Sequence, residues 1–265
     1  MKRVTRSLSA FAAEAWLPAA LIAAWWFISA GSTSFYFPPL QEILARFKEN
    51  WLFARVPTDL LPSLANLASG LVAAIVVGTV LGVFLGLRDR LEELVRPLLA
   101  FARALPPVAL LPLLVVVVGI GPRMNILLIA FATVWPVLLN TIDGVRAIEP
   151  VVHDMRKVFG VRSRDSLLRV ILPAASPQIV VGIRQALAGG VSVLIFSELV
   201  GATHGIGFFT LQAQRTLDVA DMWSGMLLLG LLGYAINLGF RGLEHYLMAW
   251  HERRVVGSTA PIGSE

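Results

Sequence analysis

A hydrolytic site in this chain would have to use Ser197 and His204, with Asp218 close behind them. A serine paired with a histidine base is the arrangement that nucleophilic hydrolysis requires. That chemistry needs the two side chains within hydrogen-bond reach inside a cavity, and nothing in the spacing fixes such a geometry. We interpret the stretch from Gly201 to Gly207 as a turn, and we expect no catalytic residue in this chain.

Metal chemistry is also not expected. The chain has no cysteine and four histidines, and no two of these histidines have the paired spacing of a zinc motif. The histidines are His153, His204, His245 and His251. The sequence therefore predicts neither a metal site nor a cofactor site.

Glu198 is the acidic residue that most needs a physical explanation. It lies inside an apolar window, where a charge costs about 2.5–3.5 kcal/mol on membrane-insertion scales and so needs a partner or a wet cavity. Two interpretations stay open. Glu198 is either a gate on a translocation path, or a helix-end carboxylate that is hydrogen-bonded to the turn between Gly201 and Gly207.

Three other residues complete the candidate translocation path: Arg103, Asn140 and Gln185. Asn140 and Gln185 are polar side chains within apolar windows, where such groups commonly bond between helices. Arg103 precedes Pro106-Pro107, which predicts a break in its apolar window, and broken helices at membrane depth often border transport paths. Arg184 is expected to extend its charged end toward the inner membrane surface instead.

The elements that must position these residues are membrane spans. Of 265 residues, 57% are hydrophobic and only 15% are charged, where soluble domains have about 25% charged residues. So few charges cannot cover a soluble protein, which excludes an ordinary soluble domain, a coiled coil and a disordered chain. Six apolar windows have the length of about 20 residues that crosses a bilayer. They cover about 8–30, 64–87, 98–118, 125–142, 180–200 and 222–243.

The distribution of Lys and Arg predicts the orientation of these spans. With the N-terminus in the cytoplasm, most of the 22 basic residues fall in cytoplasmic segments. The outer segments contain only Arg46, Lys48, Arg55, Arg123 and Arg215. We therefore expect both termini in the cytoplasm, and we expect the basic residues to set topology rather than to bind nucleic acid.

Glycines in two spans are spaced for close helix packing. Gly78, Gly82 and Gly86 recur every four residues in the second span, which is the small-xxx-small pattern of closely packed membrane helices. The glycines of the sixth span lead to the same expectation. They are Gly225, Gly230, Gly233 and Gly239.

The segment 143–179, between the fourth and fifth spans, is too long for a simple connection of about 2–8 residues. Pro150 can open a short helix, and Gly160 can end it in a left-handed cap. Leu172-Pro173 and Pro177 are expected to break the chain before the fifth span. The helix has an apolar patch edged with charge, which is typical of a docking surface.

This segment resembles the EAA loop of bacterial ABC-importer permeases. The family pattern is Glu-Ala-Ala, three residues, Gly, nine residues, Ile, one residue and Leu-Pro. Here the matching spacing is held by 154–156, Gly160 and 170–173, with Asp154 in place of Glu and Arg156 in place of Ala. The resemblance covers roughly residues 16–251 and is closest to the subgroup that serves nitrate, aliphatic sulfonates and taurine. Further matching stretches are 37–39, 103–113, 135–141, 197–200 and 205–207.

The resemblance implies an all-α polytopic membrane protein with six transmembrane helices, of the type I ABC-importer permease kind, in the bacterial cytoplasmic membrane. It also implies a homodimer, with a cytosolic P-loop ATPase docked on the short helix and an extracytoplasmic solute-binding protein outside. ATP and Mg would lie on the ATPase, because this chain lacks the GxxxxGK[ST] loop. The implied coupling residues are Val151, Val152, Asp154, Met155, Arg156, Val158, Phe159, Gly160, Leu172 and Pro173.

The implied function is to form the translocation path for a small solute, such as a sulfonate, taurine or nitrate anion. Thiamine-precursor pyrimidines, riboflavin and bicarbonate stay open as substrates, because selectivity in this family lies largely in the binding protein. The alternative of another class is an ion-coupled secondary transporter. Such a transporter would use buried ionisable residues, and the only acidic residues within the windows are Glu14 and Glu198.

Overall fold

The computed structural model describes residues 16–17 and 19–258, with the backbone alone described at 153, 156, 157 and 245–258. Within this range the chain is helical and has no β-strand, which confirms the predicted all-α class. The helices are α1 (Ala19–Ser29), α2 (Leu40–Glu49), α3 (Leu61–Gly86), α4 (Asp89–Ala104), α5 (Leu111–Val118), α6 (Pro122–Arg146), α7 (Pro150–Val158), α8 (Ser163–Ser166), α9 (Leu172–Gly201), α10 (Ile206–Arg215) and α11 (Val219–Ser258).

Four helical stretches among the described residues are long and apolar enough to cross a membrane. A fifth is obtained if α4 and the bent segment Pro107–Val118 count as one span. The first predicted window, 8–30, overlaps α1 but begins outside the described residues, so the count of six spans and the cytoplasmic termini stay predictions. The four stretches are Val56–Gly86, Pro122–Arg146, Ser163–Gly201 and Val219–Glu244.

The predicted break in the third window is present between α4 and α5. Leu105 and Pro106 are extended, and the helices on either side meet at 86°. A residue that precedes proline is forced away from helical backbone angles, so Pro106-Pro107 ends α4. The window 98–118 is therefore not one straight span, because its first residues belong to α4, a helix with charged and apolar faces.

The break expected at Leu172-Pro173 and Pro177 is not present. Helical backbone continues from Ser163 to Gly201, through a wider π-type stretch at Leu167–Ile171. Pro173 lies in the first turn of α9, where proline is tolerated. Pro177 cannot donate to the Pro173 carbonyl, and the Ser176 hydroxyl donates to that oxygen instead, at 2.9 Å. The fifth span thus begins well before residue 180.

α3 packs directly on α6 along a row of four glycines. A Cβ atom added at Gly78 would lie 2.9 Å from Val137 Cβ, and one added at Gly82 would lie 2.5 Å from Thr141 Cβ. Side chains do not approach this closely, so the contact needs glycine, as the four-residue spacing predicts. The register is constant, so α3 and α6 run in the same direction. The pairs are Gly70 with Ile129, Gly78 with Val137, Gly82 with Thr141 and Gly86 with Val145.

α9 packs on α6 in the opposite direction and completes the buried core. A Cβ atom at Gly182 would lie 2.7 Å from the Pro136 carbonyl oxygen, and one at Gly144 would lie 2.8 Å from Gln178 Cβ. Apolar side chains from all three helices fill the space between them. This cluster contains Leu67, Leu71, Ile129, Val137, Ala186, Val191 and Leu194.

α11 is packed much less tightly. Of its apolar window, 22% is buried, against 44% for the window of α6. Gly225 lies against Thr210, as predicted, but an added Cβ at Gly230 or Gly239 would meet no atom within 4 Å. The prediction of close packing is therefore wrong for these two glycines, because no bulky side chain of a neighbouring helix faces them.

Candidate functional site

The short helix of the EAA-like segment is α7, between α6 and α8. Pro150 is its first residue, and the chain leaves it through Gly160 with φ of +59°. The Phe159 amide donates to the Met155 carbonyl oxygen at 3.0 Å and closes the last turn. This left-handed exit is the cap geometry that the position of Gly160 predicts.

One face of α7 is apolar and open. Val158 is 81% exposed and Phe159 is 75% exposed, and Val151 and Met155 are also exposed. The first turn of α7 is anchored, because Val152 packs against the buried cluster of Val83, Val145, Ile148, Ile171, Ala175 and Ile179. Of the other implied coupling residues, Leu172 packs on the same cluster, Pro173 is half-buried and Asp154 is exposed. The Arg156 side chain lies outside the description.

A charged cluster joins α4 to α6 near the start of α7. Glu92 is buried, and its Oε2 lies 2.8 Å from Arg96 Nη2 and 3.0 Å from Arg146 Nη1. Arg146 also contacts Asp89 at 3.0 Å. Arg103, a candidate path residue, lines a cavity of about 300 Å³ beside this cluster. The cavity is therefore bordered by both signs of charge.

Asn140 and Gln185 contact each other between α6 and α9. The Asn140 amide donates to the Pro136 carbonyl oxygen at 2.8 Å and to Gln185 Oε1 at 3.2 Å. Pro136 lies inside α6 at this level. The pair bridges two helices at the edge of the packed core, in the geometry of a helix–helix hydrogen bond.

Glu198 is completely buried, with 0% of its surface exposed. Its Oε1 accepts a 2.5 Å hydrogen bond from the Ser63 hydroxyl, and its Oε2 accepts a 2.8 Å bond from the Gly207 amide. The carboxylate thus joins three elements: α9, the start of α3 and the start of α10. Glu198 is thus hydrogen-bonded to the turn between Gly201 and Gly207, as the interpretation of a helix-end carboxylate predicts.

The side chains of Asp59 and Ser63 also accept hydrogen bonds at the N-terminus of α10. The Gly205 amide donates to Asp59 Oδ1 at 2.8 Å, and the Ile206 amide donates to Ser63 Oγ at 3.0 Å. The first amides of a helix have no partner inside the helix, and here three successive ones find acceptors from other elements. Gly205 permits the close approach, because a Cβ there would lie 2.5 Å from Glu198 Cδ.

A comparison with known protein families identifies the family of this chain. Residues 74–255 match the family described as binding-protein-dependent transport system inner membrane component, which is more than half of the chain. The chain belongs to this family. It is thus a membrane translocation subunit of the bacterial inner membrane.

Relatives of the permease are named for the transport of taurine and of bicarbonate. It is 30% identical over 240 residues to the taurine transport system permease protein TauC of Escherichia coli K12, covering 88% of this chain and 87% of TauC. It is 30% identical over 187 residues to the bicarbonate transport system permease protein CmpB of Synechococcus elongatus, covering 70% of this chain and 67% of CmpB. The permease belongs to the nitrate, sulfonate and taurine group of ABC-importer permeases, as its motifs predict.

Solved structures support the same fold for the permease. An inward-facing structure of the MetNI methionine ABC transporter aligns with a TM-score of 0.63 and 20% identity. The alignment covers 71% of this chain and 94% of that one. At this identity the likeness identifies the fold alone, which is that of type I ABC-importer permeases.

The permease does not bring Ser197 and His204 together as a hydrolytic pair. The Ser197 hydroxyl is buried and donates to the Leu194 carbonyl oxygen at 2.7 Å. His204 is exposed, and its Nδ1 lies 2.9 Å from Thr203 Oγ1. The described bonds of both residues are local, which agrees with a turn at this position.

Asp59 and Ser63 are the residues that sequence reasoning missed. They lie four residues apart and so share one face of the helical stretch Val56–Gly86. An acid followed by a serine at this spacing places two hydrogen-bonding side chains on one side of a helix. The predicted second span begins only at residue 64 and so leaves both residues in the outer segment.

Proposed function

We propose that the permease forms the translocation path for a small anion, such as a sulfonate, taurine or nitrate, and that a cytosolic P-loop ATPase docks on α7 to drive it. The observation that carries this proposal is the exposed apolar face of α7. Val158 in the last turn of α7 is 81% exposed and Phe159 directly after it is 75% exposed, while Val152 anchors the first turn on the buried cluster. Exposed apolar residues with charged neighbours favour a protein partner.

The position of α7 is suited to transmit motion. It follows α6 directly and is joined to α9 by the helical stretch that starts at Ser163. α6 and α9 share the packed core, so a force on α7 reaches the core through rigid elements. A rigid-body rearrangement of packed helices is a common form of such transitions. A second copy of the permease and an extracytoplasmic solute-binding protein would complete the importer.

The substrate class is supported by the names of the relatives. TauC is named for taurine and CmpB for bicarbonate, and SsuC of Bacillus subtilis, 29% identical over 236 residues, is a candidate permease for aliphatic sulfonates. All three names refer to small molecules with an oxyanion group. Bicarbonate is therefore the second candidate substrate for this permease.

The experiment that tests the proposal changes Gly160. The permease is co-expressed with its ATPase and reconstituted in proteoliposomes, with its binding protein and radiolabelled taurine outside and ATP with Mg inside. The positive φ of Gly160 costs a β-branched residue about 1–2 kcal/mol. Gly160→Val should therefore lower both the ATPase that co-purifies and the ATP-dependent uptake by about tenfold.

Gly160→Asn is the matched control, because asparagine adopts left-handed backbone more readily. It should retain the ATPase at the wild-type level. Normal ATPase retention by Gly160→Val would contradict docking on α7. Uptake by the wild type under an ion gradient without ATP would instead support a secondary transporter.

A further inference from the structure

A groove of about 410 Å³ runs along the seam between α9 and α11. Its α9 wall includes Arg184 and Ser192, and its α11 wall includes Gly230, Gly233 and Asn237. On each helix the lining residues recur at three- or four-residue steps, so each wall is one helix face. From Arg184 to Ser192 the groove extends about 12 Å along the α9 axis.

Arg184 supplies a positive charge at the inner end of the seam. It lies within a stretch long enough to cross the membrane, about 18 Å along the helix from Leu172. The sequence predicted that its charged end reaches the membrane surface. In the structure Arg184 Nη1 lies 3.6 Å from Glu244 Oε2 on α11, and its reach to the membrane surface stays a prediction. The Arg184 side chain is nevertheless 45% exposed, so its guanidinium is accessible from the groove.

The ion pair leaves the guanidinium with unused donors. A separation of 3.6 Å is too long for a hydrogen bond, and a guanidinium has five N–H donors in a planar fork that suits oxyanions. Ser192 and Asn237 add a hydroxyl and an amide farther along the seam. A second acidic group could therefore be bound at Arg184 in exchange for Glu244.

Apart from Ser192, Tyr234 and Asn237, the remainder of the seam is apolar, and two glycines of α11 line it. An added Cβ at Gly230 would meet no atom within 4 Å, and one at Gly233 would meet only Val191 Cγ1, at 3.9 Å. Leu187, Val191 and Leu229 add aliphatic walls. The two glycines do not serve helix packing, so their lack of a side chain keeps the groove wide.

We propose that this seam binds a ligand with an oxyanion head and an aliphatic body. The head lies on the Arg184 guanidinium in exchange for Glu244, and the body lies over Gly230 and Gly233. That this ligand is the transported solute rests on the proposed function, in which the solute is a small anion. The same chemistry is present in an anionic phospholipid, whose headgroup would reach Arg184 from the inner leaflet.

The test uses three variants of the permease in complex with its ATPase in nanodiscs. The probe is radiolabelled butanesulfonate, in discs of phosphatidylcholine alone. Arg184→Gln removes the cation and should lower butanesulfonate binding by about tenfold, the effect of losing one charge-assisted contact. Gly230→Val adds a side chain at a position where an added Cβ meets no atom within 4 Å, and it should lower binding because it occupies the space of the aliphatic body. Glu244→Gln frees the guanidinium and should raise the affinity several-fold.

Gly239→Val is the matched control. It lies on the same helix with no atom within 4 Å of an added Cβ, and it does not line the groove. It should bind butanesulfonate like the wild type. Opposite effects of Arg184→Gln and Glu244→Gln are not expected from a purely structural ion pair, because loss of either partner would then act in the same direction.

A second set of discs contains phosphatidylglycerol and separates the two sources of the oxyanion. Native mass spectrometry counts the phosphatidylglycerol molecules that stay bound. Butanesulfonate binding in phosphatidylcholine identifies a solute site. Retention of phosphatidylglycerol by the wild type, with its loss in Arg184→Gln and Gly230→Val, identifies a lipid site. Either result supports the seam as an oxyanion site.

Equal behaviour of Gly230→Val, Arg184→Gln and wild type with both probes would overturn the inference. The outcome for the proposed function is separate, because it is read from ATP-dependent taurine uptake. If Arg184→Gln and Gly230→Val take up taurine and bind both probes like the wild type, the proposed oxyanion site is wrong and the proposed importer function stands. If the wild type shows no ATP-dependent uptake but retains lipid at Arg184, the seam is an oxyanion site and the proposed importer function is wrong.

Discussion

The α3–α6 contact and the α9–α11 seam begin from the same sequence signal and end in different packing. Both have glycines at near-helical spacing on one helix. In α3 each glycine faces a β-branched side chain of α6, as Gly78 faces Val137 and Gly82 faces Thr141. In α11, Gly230 faces no atom within 4 Å. A glycine row therefore permits close approach, but the facing helix determines whether the approach occurs.

The facing helix explains the difference. The α9 residues toward α11 include Leu187, Val191 and Ile195 beside the small Ala188 and Ser192. Even Val191 stays 3.9 Å from a Cβ added at Gly233, so α9 and α11 are not in close contact there. α6 supplies Ile129, Val137, Thr141 and Val145 instead. The permease thus combines a rigid three-helix core of α3, α6 and α9 with an α11 that contacts this core more loosely.

The largest effect should come from filling the tight contact. Gly82→Leu would bring Cβ within 2.5 Å of Thr141 Cβ and 2.9 Å of the Leu138 carbonyl oxygen. A backbone oxygen cannot move without displacing α6, so the free energy of unfolding should fall by about 3 kcal/mol, the upper end for overpacked cores. Thermal unfolding of the purified permease in detergent should show this loss as a lower melting temperature.

Gly239→Leu is the matched control for this change. It adds the same side chain to a glycine with no atom within 4 Å, so its melting temperature should stay close to that of the wild type. Equal destabilisation by the two substitutions would mean that α3 and α6 are not in the close contact described.

Local signals in the sequence predicted local features well. The Pro150 start and the Gly160 cap of α7 depend on residues within one or two helical turns, and both are present. The break at Pro106-Pro107 is of the same kind. Docking of the ATPase on α7 stays a prediction, because it depends on a second protein.

Features that depend on distant partners were predicted less well. Pro177 does not break α9, because the neighbouring Ser176 hydroxyl occupies the carbonyl oxygen that Pro177 leaves without a donor. The partner of Glu198 is Ser63, which is 135 residues away in sequence. Helical periodicity alone also could not tell that Gly230 and Gly239 of α11 face open space while Gly225 lies against Thr210, since that depends on the side chains of neighbouring helices.

The second prediction concerns Glu198, at the end of the three-helix core where α9 meets α10. Glu198→Gln keeps one carbonyl acceptor but loses a charge-assisted bond from Ser63 or Gly207. Bonds to a charged group contribute about 1.5–3 kcal/mol, so we expect a loss of about 2 kcal/mol in the free energy of unfolding. Uptake per folded molecule should be unchanged if Glu198 holds the start of α10.

Normal stability with reduced uptake would favour the gate interpretation instead. Ser63→Ala removes the same bond from the other side without altering the carboxylate, and it also removes the acceptor of the Ile206 amide. Its melting temperature should therefore fall by at least as much. A double variant that is no less stable than Ser63→Ala alone would tie the loss in Glu198→Gln to this contact.

The smallest effect concerns Asn140 and Gln185, where the rigid core borders the exposed face of α9. Their 3.2 Å contact joins α6 to α9, and hydrogen bonds of this type between membrane helices average about 0.6 kcal/mol. A double-mutant cycle of Asn140→Ala and Gln185→Ala, read by unfolding, should therefore give a coupling energy near that value. If the pair serves packing alone, ATP-dependent uptake should follow the folded fraction in all three variants. A loss of uptake in Gln185→Ala beyond its loss of folded protein would instead assign Gln185 to the translocation path, and would extend that path from the seam toward α6.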